Sequence, residues 1–148
     1  MGLGPETRLE PALSGDGRLL ASLLEQDGRR HVVLQERLSG RLLPMGQLQR
    51  NAPHHSPSLS WNGRYLALIS QQGDRRLAVI ADRVTGQLHP LPLPAGQEVQ
   101  RLSLAPDASR LAMEVSSGGL SRVLLFDLRS RLEPDLPPGQ SVSGGGLP

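Results

Sequence analysis

The chain contains no cysteine and no lysine, and only three aromatic residues, Trp61, Tyr65 and Phe126, among its 148 residues. Without cysteine there can be no disulfide framework and no thiolate metal site, so stability has to come from packing. All 16 basic residues are arginine. They raise the isoelectric point to near 10.3 at a net charge of only +2, so the high value is no sign of a nucleic-acid partner. Single-stranded nucleic acid needs aromatic platforms beside its cations, and with two of the three aromatics in or beside expected strands that function class is set aside. No stretch approaches the roughly 18 apolar residues of a membrane helix. Met1 to Glu10 lacks the basic start and apolar core of a signal peptide. There is no Gly-x-Ser-x-Gly elbow to present a serine nucleophile, and no catalytic residue, metal ligand or cofactor is expected.

What the chain does contain is a repeat. Leu13-Ser14-Gly15-Asp16-Gly17-Arg18-Leu19-Leu20-Ala21 is matched by Leu59-Ser60-Trp61-Asn62-Gly63-Arg64-Tyr65-Leu66-Ala67 and by Leu104-Ala105-Pro106-Asp107-Ala108-Ser109-Arg110-Leu111-Ala112. Equivalent positions recur 46 and then 45 residues apart (Ser14, Ser60, Ala105), a period that signals blade or solenoid units. Each unit opens on a short strand (Ala12 to Ser14, Ser58 to Ser60, Leu102 to Leu104) and a turn of Asp, Asn and Gly, residues suited to tight reversals. A second strand follows (Leu19 to Leu24, Tyr65 to Ser70, Leu111 to Val115), ending at the hairpin signals Gln26-Asp27-Gly28, Gln72-Gly73-Asp74 and Ser117-Gly118-Gly119. The third strands, His31 to Leu34, Leu77 to Ile80 and Val123 to Phe126, read as continuous apolar runs buried on both faces. Short fourth strands are expected around Leu42, Leu88 and Leu132.

Repeat one alone is rich in helix formers. Repeats two and three place Tyr65, Ile69, Val79, Ile80, Val123 and Phe126 at the same positions, and turn signals every 8 to 12 residues leave no room for an ordinary helix. The expectation is therefore an all-β chain of three four-stranded antiparallel blades, at about 11–44, 57–92 and 101–134. Residues 1–10 read as an N-terminal segment. Met45 to Ser56 and Leu93 to Gln100 read as inter-blade loops, and 135–148 as a flexible Gly/Pro-rich tail outside the fold.

The three turn sequences resemble the Ser-Pro-Asp-Gly-(Lys/Arg)-x-(Leu/Ile)-Ala signature of TolB-like, WD-like β-propeller repeats, over about residues 10 to 134. Pro survives only as Pro106, Asp becomes Asn62, and the turn Gly becomes Ala108. The resemblance implies propeller blades and a cell-envelope or periplasmic location, with the cytoplasm as the alternative. It also implies a six-bladed ring, of which three units make half. A half ring leaves two blade faces bare; about 400 Å² of apolar surface on each would forgo about 10 kcal/mol at roughly 25 cal/mol/Å², so two chains are expected to pair around a twofold axis. The alternative is a piece of a longer propeller.

In that arrangement one rim gathers Asp27, Arg29, Arg30, Arg50, His54, His55, Asp74, Arg75, Arg76, Glu98 and Arg101. Arg29, Arg30, Arg50, His54, His55, Arg75, Arg76 and Arg101 are the candidate partner-binding residues, because guanidinium forks match carboxylates; a solvated, self-paired surface is the plainer reading. His54 and His55 are adjacent and point apart on an extended chain, with no acidic or Cys cluster nearby in sequence, so they read as a rim loop pair and not a metal site. Asp16, Gly17, Asn62, Gly63 and Asp107 read as structural turn residues, the acids and Asn62 capping local backbone N–H groups. Trp61 replaces the signature proline on the opposite rim, and as a lone aromatic it reads as packing. The expected function is a non-enzymatic module binding an acidic peptide or protein loop on its arginine-rich rim. The competing class is a propeller-based enzyme or a carbohydrate-binding protein, since fold alone does not choose.

Overall fold

The computed structural model describes residues 7–48 and 52–139, and within them every regular element is a strand. Blade 1 holds β1 (Thr7–Leu13), β2 (Leu19–Gln26), β3 (Arg29–Glu36) and β4 (Leu42–Leu43). Blade 2 holds β5 (His54–Leu59), β6 (Tyr65–Gln72), β7 (Arg75–Asp82) and β8 (Leu88–Leu91), and blade 3 holds β9 (Glu98–Leu104), β10 (Arg110–Ser117) and β11 (Leu120–Asp127). Each is a simple antiparallel meander.

The signature turns are built alike. In each, the first residue's N–H reaches the carbonyl five positions on (Ser14 to Leu19, 3.0 Å; Ser60 to Tyr65, 3.1 Å; Ala105 to Arg110, 2.9 Å). The residue three places on donates back (Gly17 to Ser14, Gly63 to Ser60, Ala108 to Ala105). That last residue has positive φ in every blade, 73° at Gly17, 74° at Gly63 and 65° at Ala108, which explains glycine in two of the three. The turns also bond to one another around the axis. Asp16 N–H donates to the Trp61 carbonyl at 3.0 Å, and Trp61 N–H donates to the Pro106 carbonyl at 2.6 Å. Trp61 lies against Gly15, where a Cβ would meet the indole, so it packs between blades 1 and 2.

Alternation on the pleat makes two cores. Leu66, Leu68, Val79 and Ala81 of blade 2 face Leu19, Ala21, Leu23, Val32 and Leu34 of blade 1. Tyr65, Ala67, Ile69, Ala78 and Ile80 face Leu102, Leu104, Leu111, Met113 and Val115 of blade 3. Blade 2 is covered on both sides, and its β6 is buried from Tyr65 to Ser70. The far face of blade 3 is bare: Val123 is 71% and Leu125 67% exposed, so the third strand buried on both faces in blade 2 is half-open here. Ala112, paired with Leu125, and Glu114, paired with Val123, complete that face.

Three expectations need correction. The inner strands start earlier than the sequence implies, at Thr7, His54 and Glu98, because each runs through a β-bulge: between Leu9 and Ala12, between His55 and Ser58, and opposite Glu114/Val115. Glu10 and Ser56 sit in the first two bulges with φ of 49° and 54°. The prolines that follow them, Pro11 and Pro57, look like strand boundaries in sequence but are tolerated at a bulge. Blade 3 has no fourth strand at Leu132 among the described residues. Instead the chain turns at Leu128, whose carbonyl accepts the Arg131 and Leu132 N–H groups at 2.9 Å. From there Glu133 to Leu136 run beneath blade 2, so the segment from 135 onward that sequence assigns wholly to a free tail begins with docked residues. Residues 140–148 lie outside the described residues.

Candidate functional site

The rim formed by the β2–β3 and β6–β7 turns brings together part of the expected set. Arg30, on the blade-2 side of β3, pairs with Glu25 at 3.2 Å. Arg76, on the blade-3 side of β7, donates to Gln100 Oε1 at 3.1 Å. Gln100 is the extra residue of the β9 bulge, and its amide donates to Ser116 Oγ at 2.9 Å. His55, on the inner strand β5, is half-buried. Its pKa is lowered by burial first and then by the charges of Arg76 and Arg30, against an opposing pull from Glu10. Glu10 itself accepts the Ser56 N–H at 2.9 Å, tying β1 to β5 beside the site. His55 is thus a half-buried imidazole that feels the charges of Arg76, Glu10 and Arg30, with desolvation the largest cause of its lowered pKa.

Arg29 and Arg75 begin β3 and β7 directly after those two turns, on the same rim, and are exposed. The remaining expected residues fall elsewhere. Arg101 lies in β9 opposite Glu114, on the bare face of blade 3. Arg50 lies outside the described residues. His54 is in a strand and not in a loop; it is 2% exposed, and its Nδ1 accepts the Val32 N–H at 2.9 Å. That bond covers the edge of β3 beyond the two-residue β4, which is a structural task. Glu10 and Gln100 are neighbours of the site that sequence reasoning missed. The signal for Glu10 is its place one period before Ser56; for Gln100 there is none, because a bulge residue interrupts the alternation that would reveal it.

On the opposite rim, Asp16 Oδ1 accepts the Ser14 hydroxyl at 2.6 Å and the Arg18 N–H at 3.0 Å, and Asp107 Oδ1 accepts the Ser109 N–H at 2.9 Å. Hydrogen bonds from the Ser109 side chain and then its N–H lower the Asp107 pKa. Asn62 departs from the pattern: it caps nothing in its own turn, and its amide donates to Asp135 Oδ1 at 2.8 Å. Among the described residues no group of three or more His, Asp or Glu side chains could hold a metal ion, and no helix is long and apolar enough to cross a membrane.

Comparison with known proteins matches this geometry to propellers. No family model matches the sequence, and no curated protein does. Among solved structures, TolB from Acinetobacter baumannii superimposes with a TM-score of 0.65 at 19% identity, over 82% of this chain and 30% of that one. The structure of a putative TolB from Agrobacterium tumefaciens gives 0.67 at 13% identity, over 84% and 46%. The β-propeller domain of the Trilobed protease from Pyrococcus furiosus gives 0.62 at 16% identity, over 90% and 43%. The fold is that of TolB-like β-propeller blades, and the chain spans less than half the length of each of these chains.

Proposed function

We propose that the chain is a non-enzymatic propeller module that binds an acidic peptide or protein loop at the Arg30, His55 and Arg76 part of its rim. The observation that carries this reading is the placement of Arg30 of blade 1 and Arg76 of blade 2 close enough to the half-buried His55 for both charges to act on it. A bound carboxylate would reverse the local field and favour imidazolium. The envelope is the compartment that the TolB likeness suggests for this activity. The test is anisotropy of a labelled oligoglutamate peptide with wild type and with Arg30→Glu/Arg76→Glu. The double variant is expected to bind at least about tenfold more weakly, the loss of a charge-assisted hydrogen bond or more. A bound carboxylate would raise the His55 pKa above that of the free protein, so affinity should rise as pH falls through the window between the two values. Equal binding by the double variant, or a flat pH profile, rejects the rim.

We propose further that two chains pair head to tail around a twofold axis, each blade 3 face meeting the other's blade 1 to close a six-bladed ring. Its support is the exposed Val123 and Leu125 on a chain that spans less than half of the solved propellers it resembles. Sedimentation should give about twice 15.9 kDa, reverting to monomer in Val123→Glu/Leu125→Glu. A wild-type monomer at every concentration excludes the ring and leaves the fragment reading.

A further inference from the structure

We propose that the groove beneath blade 2 is a second recognition site, for an extended acidic peptide of the form Glu-x-Asp, and that the chain's own Glu133 to Leu136 occupies it in cis. The inference is independent of the arginine rim, which lies at the other end of the strands.

The Asp135 carboxylate is held as a ligand is held. Oδ2 accepts from the Ser60 hydroxyl, from the Asn62 N–H at 2.9 Å and from the Arg64 N–H at 3.2 Å, while Oδ1 accepts from the Asn62 amide at 2.8 Å. The Asn62 amide also donates to the Leu136 carbonyl, and the Tyr65 hydroxyl donates to the Glu133 carbonyl at 2.8 Å. Arg64 Nη2 pairs with the Glu133 carboxylate at 3.3 Å, and the Asp135 N–H donates to the Asp107 carbonyl at 3.0 Å. Two carboxylates and three backbone groups of a segment that forms no strand are thus all read by side chains and turn backbone of blades 2 and 3. Charge-assisted bonds of this kind are the strong ones.

Blade 1 shows why the groove accepts a carboxylate. There the equivalent Ser14 hydroxyl and Arg18 N–H are satisfied by Asp16, two residues along the same turn. In blade 2 the position of Asp16 holds Asn62, which offers no carboxylate, so the same donors take one from Asp135, 73 residues further on. Blade 3 lacks the hydroxyl altogether, having Ala105 in that place. Blade 2 alone has a turn built to receive an acid from outside itself. A tethered occupant acts at an effective concentration of about millimolar, so it masks the groove from weak ligands and yields it to a segment of the same chemistry on a partner.

The probe is a fluorescent peptide carrying Arg-Leu-Glu-Pro-Asp-Leu-Pro-Pro, the sequence of residues 131–138, tested against the full chain. Asp135→Ala is expected to bind it at least about tenfold more tightly than wild type does, by removing the competitor. A Glu-Pro-Asn version of the peptide should lose that binding. Asn62→Asp/Asp135→Ala should also refuse the peptide while remaining folded, because the introduced carboxylate then serves its own turn as Asp16 does. Binding should persist when Arg30→Glu/Arg76→Glu is added, which separates this groove from the rim. No binding to folded Asp135→Ala, or equal binding of the Asn peptide, overturns the proposal. If Asp135→Ala does not fold, wild type titrated with millimolar peptide should show the Leu136 amide resonance moving to its random-coil position, and an unmoved resonance overturns it equally.

Discussion

Gly63→Ala is expected to destabilise the fold by about 2 to 5 kcal/mol, from a left-handed backbone cost of about 1 to 2 and an overpacking cost of about 1 to 3. Gly63 has a φ of 74°, and a Cβ built on it would collide with a Leu19 methyl group of blade 1. Leu19 belongs to the core between blades 1 and 2, so it cannot simply swing into solvent. Gly17, with a φ of 73° and nothing near its missing Cβ, provides the control. Gly17→Ala should cost only the backbone term. Urea unfolding of both variants measures the difference, and equal midpoints for the two would show that Leu19 yields without penalty.

The second large effect is expected at Arg64. Its guanidinium grips Asp82 with two bonds, Nε to Oδ1 at 3.1 Å and Nη2 to Oδ2 at 3.0 Å, and lies 5.0 Å from the centre of the Tyr65 ring. The Asp82 side chain is 5% exposed and that of Arg64 17%. Removing one member of a buried pair leaves the other charge uncompensated, so Arg64→Ala should cost about 3 to 5 kcal/mol. The pH dependence identifies the cause. Burial pushes the Asp82 carboxyl up, but the Arg64 bonds and the Val84 and Thr85 N–H groups more than offset it, and the net pKa is lowered. Its contribution to stability is therefore full above the unfolded carboxyl value of about 3.9 and is lost as pH falls through the lower folded value. Arg64→Ala should shrink that acid limb along with the midpoint. A variant that loses stability but keeps the wild-type acid limb would assign the loss to the other Arg64 contacts, with Tyr65 and Glu133, instead.

The repeating parts of this fold were legible in the sequence because each is set by local chemistry. The hairpin turns at Gly28, Gly73 and Gly118 have positive φ; the split of β6 between two cores, Leu66 and Leu68 against Tyr65, Ala67 and Ile69, was not legible, because that run is apolar at every position. The bulges were hidden because the left-handed residues there are Glu10 and Ser56, which nothing in composition marks, and the prolines after them imitate strand starts. The missing fourth strand of blade 3 was hidden for a different reason. Leu132 continues the repeat pattern, yet it is drawn into the core with Leu128, and the Asp135 contacts beyond it span more than 70 residues. No local pattern encodes a partner at that distance. Of the rim, the positions of Arg30 and Arg76 follow from the hairpin turns beside them, whereas the sequestering of His54 depends on the Val32 edge that β4 is too short to cover.

Since each blade touches only its neighbours, thermal energy should undo this molecule from its ends inward. Strands β6 and β7, insulated on both sides, should keep their amide protons longest and set the limit of global opening, while the outer sheets exchange through partial fraying. The link from Trp61 to Pro106 adds a constraint on sequence drift: restoring the signature proline at position 61 would delete the N–H that joins blade 2 to blade 3. The irregular residue in the middle repeat is thus a hydrogen-bonded coupling between blades 2 and 3 that the signature proline could not make.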